Sequence, residues 1–480
     1  MKRLTIGLLL VSMVLSLGAC SGGTTKTVKS NDLVKLTWIA PGAKQSDVQS
    51  VMEEANKIIE PSIGAKLDLQ FIDEGAYGER MKMNMASGND YDLCFASNWL
   101  NDYQSAAMSG GLKDITDIVE NKVPKLKETL PDYVLKASRI NGKIYGVSNM
   151  QVMANVLCIT VGKDLVSKYN FDSSKVKNMN DIEPFLETVK NSDCGLYPYR
   201  SIWGMAPWVN PVYEMVVENS NVAIKSDGSS TKLELIYQTD EFKNALNTLR
   251  RWYEKGYIRA DAASVGDDST DAKMGKYAVN IATWKPGSDQ LFPKPTECMK
   301  LQKPYLGRGA PLQTMISVGA NSKNPEKAVQ LIELMNTNKE LYNLICFGIK
   351  GKHYNMTQES KVEYIENSGY APKADWKFGN QFNALLVKGM NNDVWEQTKI
   401  LNDEALKSPL LGFVPDLSKL TNEISQVASV NSEYKIMYQG ADDPKNYWSS
   451  YIKKLEEAGQ RKIFDELQIQ VNEFMKNKTK

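Results

Sequence analysis

The side chains of this chain with the clearest chemical use are rings with a polar tip, carried on segments that also hold carboxylates, amides and a guanidinium. Tyr197-Pro198-Tyr199-Arg200-Ser201-Ile202-Trp203-Gly204-Met205-Ala206-Pro207-Trp208 has too many Pro, Gly and aromatic residues for a helix and reads as a loop presenting exposed rings. Trp284-Lys285-Pro286-Gly287 follows the strand-like run Ala278 to Ala282, and Trp99 and Trp376 lie in similar loop contexts. The aromatic total of 12 Phe, 9 Trp and 22 Tyr is skewed towards the two types that combine a ring with a hydrogen-bonding tip. Such rings pack on patches of C–H while neighbouring polar groups bond hydroxyls, which is the double demand a polyhydroxylated ligand makes. Trp203, Trp208, Trp284 and Trp376 are therefore the candidates for stacking, and Glu74, Asn98, Arg200 and Asn380 for hydrogen bonding. Tyr and Trp also fill cores, so each ring competes with a purely structural role.

Covalent and acid–base chemistry has less support. The chain contains no G-x-S-x-G elbow, no H-E-x-x-H motif and no G-x-x-x-x-G-K-[ST] loop, and Gly348-Ile349-Lys350-Gly351-Lys352 has the wrong spacing for the last. A single histidine, His353, leaves little room for imidazole catalysis or a His-rich metal site. The adjacent pairs Asp267-Asp268 and Asp442-Asp443 point their side chains differently and read as helix starts or solvated loops. Glycoside hydrolysis needs only two carboxylates across a cleft, so a glycan-acting enzyme stays as the alternative reading. Asp267, Ser269 and Asp271 alternate like calcium ligands but lack the loop glycine and a closing Glu, so no metal is expected, and no cofactor or catalytic residue is named. Lys and Arg total 58 against 57 Asp and Glu, a net charge of +1 that draws no nucleic acid. Cys94, Cys158, Cys194, Cys298 and Cys346 show no CxxC spacing, and Cys94 and Cys158 sit in apolar runs as small buried hydrophobes.

Those residues must be positioned by an α/β framework. Leu36 to Ala40 reads as a buried strand ended by Pro41-Gly42. Ser46 then opens a helix with Gln49 as capping-box partner, and Val48, Val51, Met52, Ala55, Ile58 and Ile59 share one face. Leu67, Leu69 and Phe71 alternate as a second strand, Gly75 to Ser87 reads as a helix, and Asp92 to Ala96 as a third strand. In such βαβαβ units ligands bind beyond the carboxyl ends of the strands. The loops there are Pro41-Gly42-Ala43, Asp73 to Tyr77 and Ser97-Asn98-Trp99. Asn141-Gly142 predicts one hairpin turn, and Ser226 to Ser230, between Val222-Ala223-Ile224 and Leu233-Glu234-Leu235, predicts another. Helices are expected from Asp240 to Lys255, after Asn324-Pro325-Glu326, and along Ile463, Phe464, Leu467, Val471, Phe474 and Met475.

At the amino end, Met1-Lys2-Arg3 precedes an apolar run from Leu4 to Leu17, the pattern of a secretory signal peptide. Leu17-Gly18-Ala19-Cys20 resembles the lipobox of bacterial lipoproteins, which implies lipidation of Cys20 and a membrane-held mature chain. Ser21 to Asp32 is rich in Ser, Gly, Thr and Lys and suits a flexible tether.

Ser87-Gly88-Asn89-Asp90-Tyr91-Asp92-Leu93, Gly110 to Thr116 and Gly142-Lys143-Ile144-Tyr145-Gly146 resemble, in order and spacing, motifs of family 1 extracellular solute-binding proteins, with Ser148 where Pro is usual. Leu341 to Tyr354, Trp376 to Phe382 and Ser408 to Phe413 resemble a lipoprotein subgroup of that family with an uncharacterised C-terminal domain, Lys350 standing where that subgroup has Glu. The resemblance implies an α/β, two-lobed periplasmic-binding-protein-like fold with a hinge, an interlobe cleft and a helix-rich C-terminal half. It also implies a monomeric receptor on the extracellular face that clamps a carbohydrate by lobe closure and delivers it to the permease subunits of an ABC importer, without being an enzyme. A receptor for another solute, such as a peptide, is the further alternative. The expected division is signal peptide 1–19, tether 20–32, lobe 1 over 33–148, lobe 2 over 149–277, a return to lobe 1 over 278–335, and 336–480 completing lobe 2 and the hinge. Replacing Cys20 by Ala is expected to move the protein from the cell fraction into the medium; retention of Cys20→Ala on cells beside an unlipidated wild type would remove the anchor.

Overall fold

The computed structural model describes residues 33–265, 268–288 and 294–478. The signal peptide, the tether with Cys20, and Asp267 lie outside the described residues.

Lobe 1 grows from the expected βαβαβ unit. Val34–Pro41, Ala65–Ile72 and Leu93–Ala96 pair in parallel, with Val34–Pro41 in the middle. Leu36, Trp38 and Ala40 enter one core and Ile39 another, so both faces of this strand are covered and its sequence is almost continuously apolar. Met315–Val318 then inserts antiparallel between Leu93–Ala96 and Gly146–Ser148 to complete five strands. The helix Val48–Ile63 buries Val51, Met52, Ala55, Ile59 and Ile63 against this sheet and ends at Gly64, whose φ of +63° suits glycine.

The capping box expected at Ser46 does not form. Asp47 occupies the cap position without a side-chain bond to the helix amides. Its carboxylate is taken instead by His353 Nε2 at 2.7 Å, Lys352 Nζ at 2.6 Å and the Ser50 hydroxyl at 2.8 Å. Three tertiary and local donors outcompete one amide, and they hold Asp47 well below the usual carboxylate range, Lys352 first. His353 is fully buried, and its Nδ1 accepts the Ile349 N–H at 2.8 Å. The one histidine therefore fastens a turn to the first helix.

Lobe 2 is a four-stranded sheet in the order Thr296–Lys300, Leu157–Gly162, Tyr277–Thr283 and Tyr197–Tyr199. Helices Glu183–Asn191 and Asp240–Glu254 cover one face through Phe185, Leu186, Leu249 and Trp252. Tyr277–Thr283 pairs with Leu157–Gly162, so the return to lobe 1 comes later than the expected boundary at 278. The boundary at 336 also shifts. Leu341, Tyr342, Ile345, Phe347, Phe378 and Leu401 all enter the lobe 1 core, because helix Lys339–Phe347 lays its apolar face on Val48–Ile63. From Leu410 onwards the chain builds a further core. There helices Thr421–Glu433, Pro444–Glu457 and Gln460–Lys478 pack on the small sheet of Tyr213–Met215, Val222–Lys225 and Glu234–Leu235, the last two strands forming the expected hairpin. We term this unit the C-terminal domain.

The segment 197–208 is more regular than the loop expected of it. It contains the strand Tyr197–Tyr199, a 3-10 turn Ser201–Trp203 and the short helix Ala206–Val209. Tyr199 is buried with its ring 5.1 Å from that of Trp252, and Trp208 packs on the same indole at 5.4 Å.

The lobes are joined by paired crossing segments. Asn155 and Tyr305 exchange backbone bonds of 2.7 and 3.0 Å, and Tyr305–Leu306 pairs with Leu406–Lys407. Buried Asn402 accepts the N–H groups of Met153 and Ala154 at 2.8 and 3.1 Å and donates to the Gln151 carbonyl at 2.6 Å. Glu214 accepts from the Tyr305 hydroxyl at 2.7 Å, the Ser408 hydroxyl at 2.5 Å and the Arg308 amide at 2.5 Å.

Within lobe 2, Glu183 receives Arg251 at 2.7 Å and Lys255 at 2.9 Å, tying its helix to Asp240–Glu254. These cations, Arg251 first, depress its pKa from 4.5 to about 2. The ion pairs therefore stabilise the fold fully above the unfolded value and are lost as pH falls towards the folded one. Glu183→Gln is expected to lose about 1–2 kcal/mol at neutral pH after allowance for solvent screening, and to approach wild type near pH 2. Urea unfolding at neutral and acid pH measures both.

Candidate functional site

The carboxyl ends of the lobe 1 strands carry a cluster that begins with the backbone. Ser97 Oγ accepts the amides of Trp99 and Leu100 at 3.2 and 2.6 Å, turning the chain sharply after Leu93–Ala96. Trp99 is thrown outward and stays 53% exposed. Its indole N–H donates to the Gln313 carbonyl at 2.8 Å, which holds the ring in place. Trp376, on the 3-10 turn Asp375–Lys377, meets it at 6.2 Å between centroids with a 45° tilt, and both rings lean on Phe95 at 6.0 and 6.1 Å. The turn is fastened from behind: Tyr342 donates to the Asp375 carbonyl at 2.6 Å and Asn149 to the Trp376 carbonyl at 3.2 Å.

Lys377 completes the cluster from below. Its buried ammonium donates to the Pro41 carbonyl at 3.2 Å, lies 3.6 Å from the Glu74 carboxylate and sits 4.7 Å from the Trp376 ring centroid. Burial pushes the Lys377 pKa down and Glu74 opposes the shift. Glu74 opens the helix Glu74–Ser87, where Asp73 accepts the Gly75 amide at 3.0 Å. One turn in, buried Tyr77 accepts the Phe95 amide at 2.9 Å and locks that helix to the third strand. Asn98 is exposed beside Trp99.

Of the eight candidates, Glu74 and Trp376 meet here through Lys377, and Asn98 adjoins Trp99 in the chain. Asn380 lies four residues beyond Trp376, but its Oδ1 accepts the Phe382 amide at 3.1 Å and its backbone bridges to Met150, so it shapes the turn. Trp284 sits at the crossing, its amide donating to the Val156 carbonyl at 2.7 Å and its ring covered by Lys300 Nζ at 3.5 Å. Arg200 lies on lobe 2, where its Nε donates to Asp268 at 2.9 Å. Trp203, 37% exposed, ends the 3-10 turn Ser201–Trp203 that follows it. The Trp208 indole is committed to Trp252 and donates to Asn180 Oδ1 at 2.9 Å.

Residue type and spacing alone do not single out Trp99 or Lys377 as site residues. Trp99 was visible as part of a loop after a predicted strand; Lys377 was not, since lysine is ordinarily a solvated residue. Two adjacent indole faces edged by a carboxylate and an amide can stack on and hydrogen-bond a polyhydroxylated molecule. A separate groove of about 740 Å³ runs along the outside of lobe 1 between Glu54, Lys57, Lys339 and Trp395, away from the strand ends. Among the described residues no cluster of three His, Cys, Asp or Glu side chains is placed to hold a metal ion.

Comparison with known proteins fits this geometry. A carbohydrate ABC transporter substrate-binding protein of Streptococcus pneumoniae is 29% identical over 98% of this chain and 97% of its own length. The crystal structure of an N-glycan transport solute-binding protein, NgtS, from Streptococcus pneumoniae superposes with a TM-score of 0.82 at 27% identity, covering 93% of this chain and 100% of that one. Its complex with Man5GlcNAc, covered to 93% and 99% at the same 27% identity, gives 0.68. Since identity and coverage barely differ, the lower score reports a different backbone arrangement. A model described as a domain of unknown function (DUF3502) matches residues 409–476, the C-terminal domain. The model described as bacterial extracellular solute-binding protein matches residues 48–341, more than half of the chain, and the chain belongs to that family.

Proposed function

We propose that the protein is the substrate-binding component of a carbohydrate ABC importer. It takes an oligosaccharide onto the Trp99–Trp376 platform, closes lobe 2 over it and delivers it to the permease subunits. It acts as a monomer held on the extracellular face by lipid at Cys20, and it releases its ligand chemically unchanged. The observation that carries this reading is the pair of supported indoles, one of them 53% exposed, beside Glu74 and Asn98 at the strand ends of lobe 1. A large exposed aromatic costs free energy in water unless it has a partner to cover it. The similarity over nearly all of the chain to a carbohydrate substrate-binding protein and to NgtS supports the same ligand class. Closure follows if the ligand makes more favourable contacts in the closed state than in the open one.

Calorimetric titration with neutral mono-, di- and oligosaccharides tests the proposal, with peptides as controls. Saturable binding of one oligosaccharide class is expected, with recovery of intact sugar. At a hundred times Kd the ligand adds about 2.7 kcal/mol to stability, which a thermal shift reads independently. Trp99→Ala and Trp376→Ala are each expected to weaken binding about tenfold, roughly 1.4 kcal/mol. Binding of peptides alone would overturn the carbohydrate reading, and shortened sugar in the recovered sample would make the protein a glycan-acting enzyme.

A further inference from the structure

The C-terminal domain is carried by lobe 2. Helix Asp240–Glu254 turns Leu249 and Trp252 into the lobe 2 core and Phe242 and Leu246 into the core of the C-terminal domain. Arg250, on the same helix, donates to the Gly440 and Ala441 carbonyls at 3.3 and 3.1 Å. Close-packed side chains shared in this way do not slide, so lobe 2 and the C-terminal domain move as one body.

Residues 408–415 run between that body and lobe 1 and are fastened to both. Ser408 starts at the crossing, its amide donating to the Leu306 carbonyl at 2.9 Å. Leu410 and Phe413 then enter the C-terminal core, while Leu411 packs on one lobe 1 core and Val414 on the other. Gly412 lies between them against helix Asp132–Ala137, where a Cβ would stand 3.1 Å from the Ala137 Cα, and its φ of +84° suits glycine. Gln104 Nε2 fastens the far end by donating to the Pro415 carbonyl at 2.6 Å. Gln104 sits in helix Tyr103–Met108, directly after the loop that carries Trp99.

This stretch has no slack. Neighbouring residues such as Leu410 and Leu411 are committed to opposite bodies with Cα atoms only about 3.8 Å apart. A swing of lobe 2 and its C-terminal domain against lobe 1 therefore pulls on Leu411, Val414 and the Gln104 bond. The arrangement in which all these contacts are made leaves Trp99 53% exposed. It also leaves a cavity of about 680 Å³ between Asn98 and Gln104 on lobe 1 and the 415–418 turn, which Gln470 ties to the last helix by accepting the Asp416 amide at 2.8 Å. The contacts are thus satisfied with the platform uncovered and with space left for the bodies to approach.

We infer that residues 408–415 form a strap that holds the lobes apart in the unliganded protein, its contacts with lobe 1 opposing closure. The inference rests on the lobe closure proposed above and gives the C-terminal domain a part in it. The strap lowers the closed fraction, and with it the apparent affinity, without touching the ligand.

The test uses the mature chain without sugar and reads small-angle scattering and amide hydrogen exchange. Gln104→Glu, an isosteric change that puts an acceptor against the Pro415 carbonyl, and Val414→Ala, which removes the lobe 1 anchor, are the strap variants. Asn402→Ala, which loosens the 151–154 crossing, is the control for lobe movement, and all variants are compared at wild-type circular dichroism. Both strap variants are expected to exchange the Gly412 and Phe413 amides about tenfold faster, with the strand Leu157–Gly162 unchanged. They are also expected to shrink the radius of gyration by about 1 Å, against about 22 Å for a compact chain of this size. Faster exchange with unchanged or larger dimensions in both strap variants, while Asn402→Ala alters the scattering, overturns the strap and leaves lobe closure standing. Unchanged scattering in all three variants overturns both the strap and the closure it opposes.

Discussion

The Glu214 carboxylate is the junction on which the arrangement of the molecule depends. It comes from the small sheet of the C-terminal domain and accepts hydrogen bonds from Tyr305, Ser408 and the Arg308 amide, all on segments that cross between the lobes. A carboxylate partly withdrawn from water needs donors, and three at 2.5 to 2.7 Å satisfy it. Removing any one leaves the others around a partly unsatisfied charge, so the cluster behaves as a unit. Through it the C-terminal domain is held to the crossing residues that the lobes turn on. Asn402 does the same for the 151–154 crossing, again with one side chain bonding several backbone groups.

The crossings connect bodies that carry different aromatic and polar surfaces. The indole platform is anchored wholly within lobe 1, by Phe95, Gln313, Asn149 and Tyr342. Arg200 and Trp203 belong to lobe 2, and the 415–418 turn to the C-terminal domain. Rigid first surfaces lower the entropy lost when a ligand binds, while the relative placement of the bodies stays adjustable. The buried Lys377 fits the same logic. An ammonium with a single carbonyl bond and one carboxylate at 3.6 Å contributes little to stability, but it orients Glu74 and lies against Trp376.

The framework was legible in the sequence where it rests on local periodicity. Alternating or continuous apolar runs marked the strands of lobe 1, helical spacing marked Val48–Ile63 and Asp240–Glu254, and the hairpin around Gly228 followed from its turn residues. The rule that ligands lie beyond strand carboxyl ends singled out the loops of Glu74 and Asn98. Periodicity states that a face is buried and never against what, which is why helix Lys339–Phe347 was placed in the wrong lobe. Aromatic content likewise shows that rings are present. It did not separate Trp208, spent on Trp252, from Trp99, left open.

What the sequence determined by itself is the α/β order of elements, the near-neutral charge and the presence of ring-bearing and polar loops, because each follows from residue type and spacing over a few turns. Only the tertiary structure decided that Trp99 and Trp376 meet, that Lys377 is buried beneath them, that His353 binds Asp47, and that residues 415–418 face Asn98 across a cavity. Those contacts join segments far apart in the chain. They depend on which buried faces find each other, and no local pattern encodes that choice.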